Sequence, residues 1–106
     1  MAAVGKYVKG VLGSSAATLL TVPASKIVTV REVVLHNRTT GDLNFTLSHG
    51  LASSSDNLMY STAPIGAKET VQLVGQTIMA AGDVLQGLAS AAASVNYFVS
   101  YVEVDV

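Results

Sequence analysis

The sequence predicts an all-β protein, an antiparallel β-sandwich of about eight strands in a jelly-roll-like arrangement. Three observations point there. Val-rich runs such as KIVTVREVVLHN, Lys26 to Asn37, favour pleated backbone because branching at Cβ stiffens the side chain. LNFTLS, Leu43 to Ser48, alternates Leu43, Phe45 and Leu47 with Asn44, Thr46 and Ser48, a period of two that buries one face. Runs of this kind recur about every ten residues, with Gly, Pro or Asp between them.

Taken in order, YVKGVL (from Tyr7) and ATLLTV (from Ala17) give two strands, and Pro23 closes the second. Lys26 to Asn37 and Leu43 to Ser48 follow. RTTGD lies between them, where Gly41 can adopt positive φ and Asp42 can bond its own backbone, so the pair reads as a β-hairpin with a short loop. After the polar loop HGLASSSDN come a short strand LMYST, a turn at Pro64 and Gly66, and a strand TVQLV, Thr70 to Val74. DVLQGLA, Asp83 to Ala89, is one more strand. The same stretch can be written as a helix capped by Asp83 with Val84, Leu88, Ala92 and Val95 on one face, a reading that Gly87 and the serines oppose. In the last run Val95, Tyr97, Val99 and Tyr101 alternate, and the apolar phase then moves to Val102, Val104 and Val106. Such a shift suggests a bulge or a change of environment.

A chain of 106 residues makes one domain with one modest core. Half of the residues are hydrophobic and only 12% are charged, about half the usual share. Such a chain has difficulty hiding its apolar side chains in a monomer, so oligomerisation or permanent docking is expected. Net charge is -1, and Lys6, Lys9, Lys26, Arg31, Arg38 and Lys68 are scattered without a basic stripe, so no nucleic-acid partner is expected. No apolar run is long enough to span a membrane as a helix. Gly10 and Gly13 interrupt the apolar stretch of the N-terminus, against a signal peptide. With no cysteine, disulfides and thiolate metal sites are excluded.

Each candidate for chemistry has a plainer explanation. Asp83 follows Gly82 and precedes an apolar run; no second ligand stands near it in sequence, so it reads as a turn residue capping N–H groups. His36 and His49 would reach neighbouring strands in the expected hairpin, but two imidazoles make a poor zinc site. Glu103 and Asp105 share a strand face and read as a solvated face near a terminus rather than a cation site. SSSD, Ser53 to Asp56, lacks a histidine or glycine elbow and reads as a loop tip. An enzyme is not expected, and no cofactor is.

The order of strand and turn types resembles the small β-sandwich proteins of tailed-bacteriophage virions. The resemblance covers about residues 17 to 106 and rests on a VPA turn, the strand VREVVLHN, the strand entry AKETVQL, IMAAGDVLQG, and a Ser/Ala loop before a final Val/Tyr strand. It implies a capsid decoration or cement protein on the outer capsid surface, often trimeric, clamping neighbouring copies of the major capsid protein and made in the host cytoplasm. Residues 1–16 would form an N-terminal arm or edge strand, and residues 17–106 the sandwich. The arm would order on the partner through Lys6, Tyr7, Val8, Val11 and Leu12. A neck, tail or fibre accessory is the alternative within virions. A carbohydrate-binding module is another, but there is no Trp, and of Tyr7, Phe45, Tyr60, Tyr97, Phe98 and Tyr101 the strand members are expected in the core.

Overall fold

In the computed structural model, which describes residues 3–106, eight strands carry the chain: β1 (Ala3–Val11), β2 (Ala17–Thr21), β3 (Lys26–Asn37), β4 (Leu43–His49), β5 (Leu58–Ile65), β6 (Thr70–Met79), β7 (Val84–Ala89) and β8 (Val95–Asp105). They form two antiparallel four-stranded sheets, β1-β8-β3-β6 and β2-β7-β4-β5. Every step along the chain changes sheet except β4 to β5, which is the connectivity of a jelly roll. The all-β jelly-roll reading of the sequence therefore holds. The segment with the competing helical pattern is strand β7.

The core is the inward-pointing set of both sheets. Val28, Val30, Val33 and Leu35 of β3 and Val95 and Val99 of β8 meet Phe45 and Leu47 of β4, Leu85 of β7 and Ile65 of β5. Leu12, Leu19, Leu20 and Val22 close one end from the segment around β2. Gly87 sits where these layers come closest: a Cβ there would stand 3.0 Å from Leu19 Cδ1 and 3.1 Å from Leu47 Cδ2.

Several local expectations change. RTTGD is not a hairpin loop, because β3 and β4 lie in different sheets; it is a crossing between them. Buried Asn37 fixes that crossing. Its Nδ2 donates to the carbonyls of Gly41 (2.8 Å), Ile65 (3.2 Å) and Gly66 (3.1 Å), while its Oδ1 accepts from the Thr39 N–H (2.9 Å) and hydroxyl (2.7 Å). Pro64 lies inside β5 rather than in a turn, which a sheet-edge strand allows because its missing N–H breaks no ladder. β6 runs five residues past Val74.

The phase shift expected in β8 occurs instead in its neighbour β3. Val28 and Val30 point inward, then Val33, Leu35 and Asn37, because Arg31 is an extra residue where β3 passes β8. In β8 the inward phase of Val95, Tyr97, Val99 and Tyr101 continues to Glu103, and Val102 and Val104 point outward.

Candidate interaction surface

The two outer faces of the sandwich differ in chemistry. Outside the β2-β7-β4-β5 sheet stand Thr18, Gln86, Thr46, Asn44 and Ser48. Gln86 Nε2 donates to Thr18 Oγ1 at 3.2 Å. The loop after β4 folds back here: the Ala52 N–H donates to Gln86 Oε1 at 3.1 Å, and Ser48 is buried while donating to the Gly50 carbonyl. Val84 and Leu88 stand among them half-buried, so this face is mixed in chemistry and partly covered.

The outer face of β1-β8-β3-β6 is bare and carries much more apolar surface. Register places Lys9, Phe98, Val34 and Gln72 in one row across the four strands, then Tyr7, Ser100, Glu32 and Val74, then Gly5, Val102, Thr29 and Ile78. Val104 and Ile27 continue the patch at one end, and Val11 at the other. Val74 is 77% exposed, Ile78 67% and Tyr7 59%. Isolated exposed apolar residues are ordinary; a contiguous patch on one of two faces marks a contact surface. Glu32 is satisfied within the face, its Oε2 accepting from Gln72 Nε2 at 3.1 Å.

The residues expected to bind a partner divide between environments. Tyr7 and Val11 belong to the bare face, where Tyr7 stacks on Phe98. Lys6 and Val8 point the opposite way. Val8 packs against the core, and the Lys6 ammonium lies 2.5 Å from Glu103 Oε2; the hydrogen bond to that carboxylate, and its charge after it, raise the lysine pKa above its ordinary value. Leu12 is buried in the core and is not part of any exposed surface of the folded chain. Val34, Val74, Ile78, Phe98 and Val102, which complete the face, come from three other strands. Their signal in the sequence is the adjacent apolar pair: Val33 with Val34, Ile78 with Met79, Phe98 with Val99, where a strand with one wet face would place a polar residue.

The other candidates resolve into structural contacts. Gly82 takes φ +88°, and Asp83 Oδ2 accepts from the Ala80 N–H (2.9 Å) and lies 3.1 Å from His49 Nε2. The Ala80 N–H, and His49 after it, hold the Asp83 carboxyl below its ordinary pKa. His36, in the other sheet from His49, bonds Thr70 Oγ1 through Nδ1 at 2.9 Å. Glu103 is not on a solvated face but buried beside Lys6, while Asp105 pairs with Lys26. Ser55–Asn57, in the SSSD loop, is one exposed 3-10 turn. Among the described residues, no group of three or more His, Asp or Glu side chains is placed to hold a metal ion.

No protein-family model and no curated protein matches the chain. Solved structures do. A chain of the acid-stable capsid of Helicobacter pylori bacteriophage KHP30 is similar with a TM-score of 0.56 at 11% identity, over 100% of this chain and 95% of that one. A subunit of the disulfide-linked pili of Bacillus endospore appendages gives 0.53 at 17% identity, over 99% and 88%. A chain of the virus-like particle of the giant freshwater prawn extra small virus gives 0.52 at 12%, over 96% and 77%. At these identities the likeness is one of fold: this chain is a β-sandwich of the kind found in viral capsid and pilus subunits. The disulfide that links the pili has no counterpart in a chain without cysteine.

Proposed function

We propose that this chain is a structural protein of a bacteriophage virion, a decoration or cement protein. It docks on the outer capsid surface, holds neighbouring copies of the major capsid protein together, and works as a homo-oligomer. The observation that carries this reading is the bare apolar face of the β1-β8-β3-β6 sheet on a fold that capsid subunits also use. A clamp needs a body that resists deformation and a surface that gains by leaving water. The two sheets closed over one core supply the first, and the patch around Tyr7, Phe98, Val74 and Ile78 supplies the second as the contact that holds the homo-oligomer together. The role has no catalytic step.

The test is to mix the purified chain with phage capsids that lack it and sediment the particles. Binding that saturates and raises the temperature of shell disruption supports the reading. Protein that stays in the supernatant contradicts it, and protein that sediments only with isolated necks or tails moves it to an accessory of those parts.

One observation favours a second reading, a carbohydrate-binding module. Tyr7 and Phe98 form an exposed aromatic platform on a sheet face, a surface on which a sugar ring can stack. Quenching of tyrosine fluorescence by host surface glycans, lost in Tyr7→Ala, would support it.

A further inference from the structure

The bare face of the β1-β8-β3-β6 sheet is self-complementary under one particular two-fold axis. An axis lying parallel to the strands, midway between β8 and β3, places β1 of one copy over β6 of the other and β8 over β3, row for row. Phe98 then meets Val34, Tyr7 meets Val74, and Val104 meets Ile27. The polar positions also meet each other: Asn96 faces His36, Lys9 faces Gln72, and the Ser100 hydroxyl faces the Glu32 carboxylate. Gly5, where an added Cβ would have nothing within 4 Å, lies under Ile78, one of the most exposed large apolar side chains among the described residues.

The competing axis, perpendicular to the strands, inverts the rows. It sets Glu32 on Glu32 and Lys9 over Gly5, so it gains a like-charge pair and loses the fit of bulk to space. Size also permits the first arrangement. Four strands about 4.8 Å apart and nine residues long present a flat face of about 19 by 30 Å, below the ~800 Å² per partner of a standard interface until side-chain relief enlarges it. Two sheets packed face to face with strands nearly aligned are an ordinary solution for burying such surfaces.

We infer that the outer face of the β1-β8-β3-β6 sheet binds the same face of a second copy of this chain, as an isologous two-fold pair. The pair deepens the homo-oligomer part of the virion reading and rests on the same face, so contact with a capsid falls to the surfaces that the pair leaves outside. It differs from the trimer that the sequence resemblance implies, because one face used against itself closes at two chains.

Sedimentation equilibrium on the full chain and three variants tests the pair, with circular dichroism to show that each folds. Gly5→Val has room within its own chain but meets Ile78 of the second copy, so it should weaken the pair by at least about tenfold, the effect of one lost packing contact. Ile78→Ala alone should also weaken the pair, but less than Gly5→Val. Gly5→Val with Ile78→Ala should regain most of the affinity, a rescue that a merely structural effect of Gly5→Val would not show. Should Gly5→Val fail to fold, Val74→Glu with Ile78→Glu, at two exposed positions, replaces it and should give single chains.

A wild-type chain that is single at every concentration, a closed trimer, or a Gly5→Val variant that pairs as tightly as wild type would overturn the inference. Failure here is separable from failure of the virion role. A pair that ignores capsids contradicts only the latter, and a trimer that binds them contradicts only the former.

Discussion

Tyr7 and Phe98 stack with ring centroids 5.1 Å apart and planes 8° from parallel, on the side of the sheet that faces away from the core. The register sets Lys9, not Tyr7, directly opposite Phe98, so the rings meet as diagonal neighbours on adjacent strands. A double-mutant cycle of Tyr7→Ala and Phe98→Ala in urea should give a coupling of about 0.5–1.5 kcal/mol, the usual worth of an aromatic pair beyond its area. A coupling near zero would mean that the rings do not stack in solution.

Asn37 spends every hydrogen-bonding atom of its side chain on the crossing between the sheets. Asn37→Asp removes the three donations and turns a carboxylate toward three carbonyl oxygens. The variant should lose at least about 2 kcal/mol at neutral pH, as expected for unsatisfied buried groups. Those carbonyls and the burial raise the new carboxyl's pKa in the folded state, so its stability is lost as pH rises and regained as pH falls. Urea midpoints at neutral and mildly acidic pH check both points.

Asp83 gives the opposite sign. Its pKa is lowered in the folded protein, so its contribution is present above the ordinary aspartate range and fades as pH falls below about 4. Asp83→Ala should lower the melting temperature at neutral pH, and the difference from wild type should shrink through that acidic window. A difference independent of pH would mean that the carboxylate's charge is not what holds the turn.

Gly87 is a packing position. Gly87→Val would press into Leu19, Leu47 and Leu12 and should destabilise by about 1–3 kcal/mol, the cost of overfilling a packed core. A denaturant midpoint at or above wild type would show that these leucines yield freely.

The strands were legible because their period of two depends on neighbouring residues alone. Which sheet each strand joins was not, since that is set by pairing between distant segments. Hence RTTGD, with good hairpin chemistry, turned out to carry the chain from one sheet to the other. The bulge left a readable trace: Val30 and Val33 both point inward three residues apart, with Arg31 and Glu32 between them. The surface was half legible. Tyr7 and Val11 stood out near the N-terminus, but Phe98, Val34, Val74 and Ile78 join them only once β8, β3 and β6 lie side by side. Lys6 and Glu103, nearly the length of the chain apart, read separately as exposed charges and fold into one pair.

The most direct test of the face as a contact surface is hydroxyl-radical footprinting of the full chain at high and low concentration. The account predicts that Tyr7, Phe98 and Ile78 become protected as concentration rises, while Leu51, exposed in the loop after β4, reacts unchanged. Labelling of Tyr7 and Phe98 that does not change with concentration, or protection of Leu51 instead, would contradict it.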